Sequence, residues 1–167
     1  MSTADDLIAR TARRQHAHAI MTALRELRVQ LSLLNHQVGG HVELKDIDLD
    51  CFELISREGP VSPTALARRA GLHPATMTGV LDRLERGGWV TRERDANDRR
   101  AVAVHAIRGR SAELVRLYAG LGRAIEDICA GHDEEELALV ADFLRRTTRA
   151  GRLATDGLAA DRAGVTI

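Results

Sequence analysis

The chain has 167 residues and a formal net charge of zero, with 44% hydrophobic and 29% charged residues. This composition fits one compact domain with appended helices and excludes a two-enzyme assembly or a compositionally disordered chain. Aromatic residues make up only 2%, too few for the stacking platform of a single-strand nucleic-acid binder. Two cysteines are too few for a disulfide framework or a four-thiolate metal site. No run of 18 apolar residues exists, which predicts a cytoplasmic protein without a membrane partner.

The neutral total hides an uneven distribution of charge. Residues 60–110 contain 10 basic and 5 acidic residues, whereas residues 1–59 contain 7 and 9, and residues 111–167 contain 7 and 10. All ten basic residues of the middle segment are arginines, whose guanidinium forms forked contacts with phosphates and guanine edges. A solvated, salt-bridged surface would have the same charge pattern, so a motif must decide between the two.

The first third of the chain predicts two helices. Apolar residues from Ile20 to Val38 are spaced 4, 3, 4, 3, 4, which is typical of a helix with a seam that packs on another helix. Gly39-Gly40 is predicted to end this helix. A shorter helix capped by Asp46 or Asp48 is expected to stop at Gly59-Pro60.

Two short helices separated by a turn are predicted next. Ser62-Pro63 supplies an N-cap and a first helical residue, and Gly71 ends the helix. His73-Pro74 opens the second helix, which Gly87-Gly88 ends. Its inward positions are Met77, Val80, Leu81 and Leu84. Its outward positions are Ala75, Thr76, Thr78, Gly79, Asp82 and Arg83.

A β-hairpin and two further helices complete the prediction. Residues 89–94 and 101–104 have the composition of short strands, and residues 95–100 form a polar turn between them. Apolar spacing predicts a long helix from Leu114 to Ile128 that Gly131 ends, and Asp133 is expected to cap another. The mixed tail from Gly151 is expected to fray.

Helix, turn, helix and hairpin together make a winged helix-turn-helix, whose second helix enters the major groove of double-stranded DNA. Small and hydroxylated outward residues permit a close approach, and the hairpin presents arginines to a phosphate or a minor groove. Within the turn, we expect Arg100 to pair with Asp98 and Arg99 to reach the groove. Asp82 and Glu85 are expected to orient arginines such as Arg86. The predicted DNA-binding residues are Ser62, Pro74, Ala75, Thr76, Thr78, Gly79, Arg83, Arg92, Arg94, Asp98, Arg99 and Arg100.

The stretch from Leu49 to Val104 resembles the MarR family of bacterial transcriptional regulators. The matching residues are GPVSPTALARRAGLHPATMTGVLDRLERGGWVTRERDANDRRAVAV. The resemblance implies a mostly α fold with a small β-hairpin wing, a homodimer whose terminal helices intertwine, and a palindromic operator. One departure is Ala106-Ile107 where the family has Leu-Thr, and the spacing to Gly109 is one residue short, so Ser111 is the expected cap of the next helix.

The predicted organisation has four segments. Residues 1–45 form an N-terminal helical dimerisation segment and residues 46–110 the winged helix-turn-helix. Residues 111–155 form the C-terminal dimerisation helices, and residues 156–167 a tail.

The predicted function is a transcriptional repressor released by a small-molecule effector, as the resemblance suggests. A small, mostly apolar anion or phenol-like molecule would bind where the dimer helices meet the winged domain, at His36, Cys51, Phe52 and Tyr118. A constitutive DNA binder, an oxidation switch at Cys51, a metal-responsive regulator and a helical scaffold that does not bind DNA remain alternatives.

Enzyme and metal chemistry lack sequence support. No Gly-rich phosphate loop, nucleophile elbow or HExxH motif occurs, so we expect neither an enzyme nor a cofactor. Seven histidines are present, but none are spaced i, i+4 to ligate a metal from one helix face, so no metal site is predicted.

Overall fold

The computed structural model describes the backbone of residues 3–94 and 102–164, and the side chains of residues 8–93, 102–159 and 161. Its elements in chain order are α1 (Thr3–Val42), α2 (Asp46–Glu58), α3 (Pro63–Ala70), α4 (Pro74–Arg86), β1 (Val90–Arg94), β2 (Val102–Ala106), α5 (Arg108–Cys129) and α6 (Glu134–Gly164). They divide into two compact units, Met1–Asp46 and Ile47–Ile167. Of the helices described, none is both long and apolar enough to cross a membrane.

The first unit is essentially one long helix, α1. The helix continues through Gly39 and Gly40 to Val42, so the predicted end at the glycines is wrong. Val38 and Gly39 are buried, and this burial outweighs the cost of about 1 kcal/mol that each helical glycine carries. The helix ends where Glu43 adopts a left-handed conformation with φ 56°.

The second unit builds its core where α2, α3, α4 and the hairpin meet. The predicted inward side chains of α4 are all at most 1% exposed, and they are joined by equally buried residues of α2, α3 and β2. β1 pairs antiparallel with β2, with Val90 opposite Ala106. Val61 adds a bridge to β2, because its N–H and carbonyl bond those of Val104 at 3.2 and 2.9 Å. The predicted winged helix-turn-helix is confirmed.

Local capping fixes the two helices of the helix-turn-helix as the sequence predicts. The Ser62 hydroxyl accepts the N–H of Ala65 at 3.2 Å at the start of α3. Gly71 ends α3 with φ 65°, a conformation that glycine adopts without strain. His73 caps α4 by accepting the N–H of Ala75 at its Nδ1, 3.3 Å away. These caps set the angle of the turn between α3 and α4.

The last two helices differ from the prediction at two positions. Ser111 lies inside α5, and Ile107 occupies the N-cap position without a side-chain hydrogen bond, so the expected serine cap is wrong. α6 continues past Gly151 to Gly164, so the expected fraying is wrong as well. Thr155 of this extension packs against the end of α3, 3.5 Å from the position of a Cβ on Gly71. Eight of the fourteen residues from Gly151 to Gly164 are alanine, leucine or arginine, which favour a helix despite the glycines.

The predicted start of α6 is confirmed. Asp133 accepts the N–H of Glu136 at 2.9 Å, and the Glu136 carboxylate accepts the N–H of Asp133 at 3.2 Å. This reciprocal capping box satisfies two N–H groups that the helix leaves unpaired. The hydrogen bond that the carboxylate accepts from the Asp133 backbone, and then the one it accepts from the His132 ring, lower the pKa of Glu136 below its usual value.

Candidate nucleic-acid interface

In the part of the chain that the structure describes, one face of α4 is exposed. Pro74, Ala75, Thr76 and Thr78 are exposed and Gly79 is half-buried, while the opposite face of the helix is the core. The small side chains leave the backbone of the helix accessible along its first two turns. A surface of this shape suits close approach to base edges in a major groove.

The two threonines of this face differ in their hydrogen bonds. The Thr78 hydroxyl donates to the carbonyl of Pro74 at 3.1 Å, one turn earlier in the same helix. In the part of the chain that the structure describes, the Thr76 hydroxyl has no hydrogen-bond partner. Thr76 therefore keeps both its donor and its acceptor capacity for another molecule.

Arg83 does not project freely from α4, contrary to the prediction. Its Nε and Nη2 donate to the two carboxylate oxygens of Asp48 at 2.9 and 2.6 Å. This forked pair joins the start of α2 to α4, and Asp48 is 1% exposed whereas Arg83 is 34% exposed. The hydrogen bonds that Arg83 donates to Asp48 raise the pKa of its guanidinium above the usual value. The pair thus occupies the groups with which Arg83 was expected to contact DNA.

Arg92 is likewise turned toward α4 rather than outward. Its Nη2 lies 2.5 Å from Asp82 Oδ1 and its Nε 3.5 Å from Glu85 Oε2. The side chain is 27% exposed. The prediction that these two carboxylates orient an arginine is confirmed, but that arginine is Arg92 on β1 and not the example given, Arg86. The contact joins β1 of the hairpin to α4.

Some of the predicted DNA-binding residues of the wing lie outside the residues that the structure describes. Arg94 ends β1, and its backbone pairs with Val102. Asp98, Arg99 and Arg100 lie outside the described residues. Ser62, at the start of α3, is exposed, and its hydroxyl is engaged in the cap described above.

An arginine that the sequence analysis missed lies where α4, β1 and α5 meet. Arg110 donates from Nη2 to the carbonyl of Gly87 at 2.9 Å and from Nη1 to Glu113 Oε2 at 2.7 Å. Its guanidinium carbon lies 4.8 Å from the centre of the Trp89 ring. Only the Glu113 contact, three residues along one helix, has a sequence signal, because the other two partners are more than 20 residues away.

Two of the four predicted effector residues line one cavity. Phe52 on α2 and Tyr118 on α5 face a space of about 530 Å³ whose other walls include Ser56, Ser111, Leu114, Val115 and Arg123. Phe52 also meets Trp89 edge-on, with ring centroids 5.3 Å apart. His36 belongs to the first unit, where its Nδ1 lies 3.4 Å from Asp46 Oδ1 and its side chain is 74% exposed.

Cys51 belongs to the core rather than to a cavity wall. It is fully buried, and burial, then the negative charges of Asp50 and Asp48, raise the pKa of its thiol to about 12. The thiolate, which is the form that reacts with peroxide, is therefore suppressed at neutral pH. Within the described ranges, no group of three His, Cys, Asp or Glu residues could hold a metal ion.

Comparison with known proteins finds similarity to one family of transcriptional regulators. The family model described as "MarR family" matches residues 48–102. The chain is 28% identical over 135 residues to the uncharacterized HTH-type transcriptional regulator YcgE of Bacillus subtilis (strain 168), which covers 81% of this chain and 88% of that protein. It is 31% identical over 89 residues to the HTH-type transcriptional repressor YetL of the same organism, 53% of each chain. The structure of Streptococcus pneumoniae FabT in complex with DNA shares the fold, with a TM-score of 0.62 and 23% identity. The match covers 80% of this chain and 95% of the FabT chain.

Proposed function

Because the chain belongs to the MarR family of winged-helix DNA-binding transcriptional regulators, which are not enzymes, we propose that it is a repressor that a small-molecule effector releases from DNA. The observation that carries the proposal is the outer face of α4. It offers small and hydroxylated side chains over two turns, while the opposite face is packed into the core. YetL, the similar protein named a repressor, supports the sign of regulation.

In this proposal α4 lies in the major groove, with Pro74 and Ala75 at its leading end and Thr76, Thr78 and Gly79 along the groove. The positive end of the helix dipole faces the phosphates. Asp48 holds Arg83, and two carboxylates hold Arg92. These two arginines therefore stiffen the attachment of α4 to α2 and β1 and do not contact bases.

The wing supplies the second set of DNA contacts in this proposal. The candidates are Arg94, Arg99 and Arg100, with Asp98 orienting Arg100 and Ser62 contacting a phosphate through its backbone. Arginine is the side chain that inserts most readily into a narrow minor groove. The support is the excess of arginine over acidic residues between positions 60 and 110.

The proposed assembly is a homodimer built by the terminal helices. Ile20, Leu27 and Leu31 on α1 are between 41% and 47% exposed. On α5 and α6 the exposed apolar side chains include Ile125, Ile128, Leu139, Val140 and Leu144. A soluble chain rarely leaves so many apolar side chains in water, and a second copy is the simplest cover. Two half-sites with centres about 10 bp apart, or a multiple of that spacing, are then expected. A monomeric mass by light scattering at micromolar concentration would contradict the dimer.

The cavity between α2 and α5 is the proposed effector site. Its volume of about 530 Å³ lies within the range of about 300–1,000 Å³ that holds small ligands. Phe52, Leu114 and Tyr118 would contact an apolar ring, and Arg123 would pair with an acidic group. His36 belongs to the first unit and stays a prediction from the sequence. An effector that releases DNA must itself bind more weakly to the DNA-bound protein.

The test combines promoter fragments, salt and candidate ligands. Binding to labelled DNA is measured by fluorescence anisotropy at several salt concentrations for the wild type, Arg99→Ala, and Arg116→Ala as a control on the exposed surface of α5. We expect Arg99→Ala to weaken binding and to flatten the salt dependence by about one unit per lost phosphate contact, while the control leaves both unchanged. Ligands found by thermal shift should lower DNA affinity. Stabilising ligands that leave DNA affinity untouched would refute the effector switch.

A further inference from the structure

The side chain of Arg110, in the first turn of α5, makes contacts in three directions. It donates to the Gly87 carbonyl at 2.9 Å and to the Glu113 carboxylate at 2.7 Å. Its guanidinium also covers the ring of Trp89 at 4.8 Å. A planar guanidinium can satisfy a carbonyl, a carboxylate and an aromatic face at once, which an ammonium group cannot.

The partners of Arg110 form the joint between α4 and the wing. Gly87 is the C-cap residue of α4, and Trp89 immediately precedes β1. A Cβ built on Gly87 would lie 2.7 Å from Trp89 Cδ1, so the indole lies directly against the turn. Trp89 is 2% exposed, and its carbonyl accepts the N–H of Ile107 at 2.9 Å, just after β2. The end of α4, both strands and the start of α5 therefore meet at this one residue.

We propose that Arg110 is a positioning residue for DNA binding, which fixes the angle between α4 and the wing by holding Gly87 and Trp89. The inference rests on the proposed placement of α4 in the major groove and of the wing on the flanking DNA. Both elements must meet the DNA together, so a looser joint must be ordered upon binding. Arg110 thus acts through its neighbours and does not contact the DNA.

The single tryptophan makes this joint directly observable, because emission from the protein comes from Trp89. We expect Arg110→Ala to shift the Trp89 emission and to increase its quenching by acrylamide. The same variant should weaken DNA binding about fivefold to tenfold, as expected for ordering one or two side chains, with an unchanged salt slope. Arg110→Lys should not recover the affinity, although it keeps the charge and the aliphatic stem over the ring.

A direct phosphate contact by Arg110 gives the opposite results. The lysine variant would then bind nearly as well as the wild type, and the alanine variant would lower the salt slope by about 0.9 per contact. Either result would overturn the inference, as would an alanine variant with wild-type affinity. Arg108→Ala is the matched control, because Arg108 is exposed, lies two residues earlier, and has no ion pair in the described ranges. It should leave Trp89 emission unchanged.

The test separates this inference from the proposed function. If the wild type binds no promoter fragment, both fail. If the wild type binds DNA and releases it with ligand, but substitution of Arg110 leaves DNA affinity unchanged, only the inference fails. Arg110 is 41% exposed, so both variants should fold, which thermal unfolding at equal protein concentration checks. If only the lysine variant folds, its loss of affinity at constant salt slope decides the question.

Discussion

Replacement of Arg83 by alanine should destabilise the fold more than it weakens any individual DNA contact. Its guanidinium forms a forked pair with Asp48, whose side chain is 1% exposed. Removing Arg83 leaves a buried carboxylate without its cation, and such losses cost about 3–5 kcal/mol. We expect about 3 kcal/mol, the lower end, because Asp48 keeps other interactions.

The reciprocal variant should cost less, because the two partners differ in exposure. Arg83 is 34% exposed, so in Asp48→Ala its guanidinium can turn toward water. We expect a loss of about 1–2 kcal/mol from the broken hydrogen bonds. The asymmetry between the two single variants is expected because the buried carboxylate stays out of water, whereas the partly exposed guanidinium does not.

Urea unfolding of the wild type, both single variants and the double variant at one protein concentration measures these terms. The double-mutant cycle should give a coupling energy of about 1–3 kcal/mol. DNA titrations at several salt concentrations accompany it. If Arg83→Ala lost less than about 0.5 kcal/mol of stability but lowered the salt slope of DNA binding, Arg83 would be a DNA contact after all. The ion pair would then be incidental, and the reasoning from burial would be refuted.

Three further predictions concern the buried thiol of Cys51, the helix α4 and the cavity between α2 and α5. Burial raises the pKa of the Cys51 thiol from the ordinary value of 9.0 to about 12 in the folded protein. The resulting stabilisation of the fold is complete below pH 9 and is lost as the pH rises toward 12. The wild type should thus lose about 1.4 kcal/mol more stability between pH 7 and pH 10 than Cys51→Ala, and equal losses would contradict it. Thr76→Ala should change base preference more than Thr78→Ala in a binding selection, because the Thr78 hydroxyl is satisfied within α4. An effector in the cavity should alter Trp89 emission through Phe52, 5.3 Å away, and an unchanged spectrum at saturating ligand would place the effector elsewhere.

The candidate site was only partly predictable from the sequence. The outward face of α4 follows from helical periodicity, since buried and exposed positions alternate with the turn of the helix. The partners of its charged residues do not follow, because Asp48 and Arg83 are 35 positions apart and Arg92 reaches back from a strand to Asp82. The contacts of Arg110 are not predictable for the same reason, because the Gly87 carbonyl and the Trp89 ring lie on other elements.

By itself, the sequence determined the features that depend on neighbouring residues: the caps at Ser62 and Asp133, the glycine ends of α3 and α4, and the β-hairpin. Capping and periodicity act over three or four residues, so their signals are local. Tertiary packing decided where the helices end and where the arginines point. α1 continues through Gly39, where the burial of Val38 and Gly39 outweighs a local helix cost of about 1 kcal/mol. α6 continues through Gly151, whose surroundings are exposed. A guanidinium on a long side chain takes whichever carboxylate or carbonyl the folded chain brings within about 3 Å, and only the fold determines that distance.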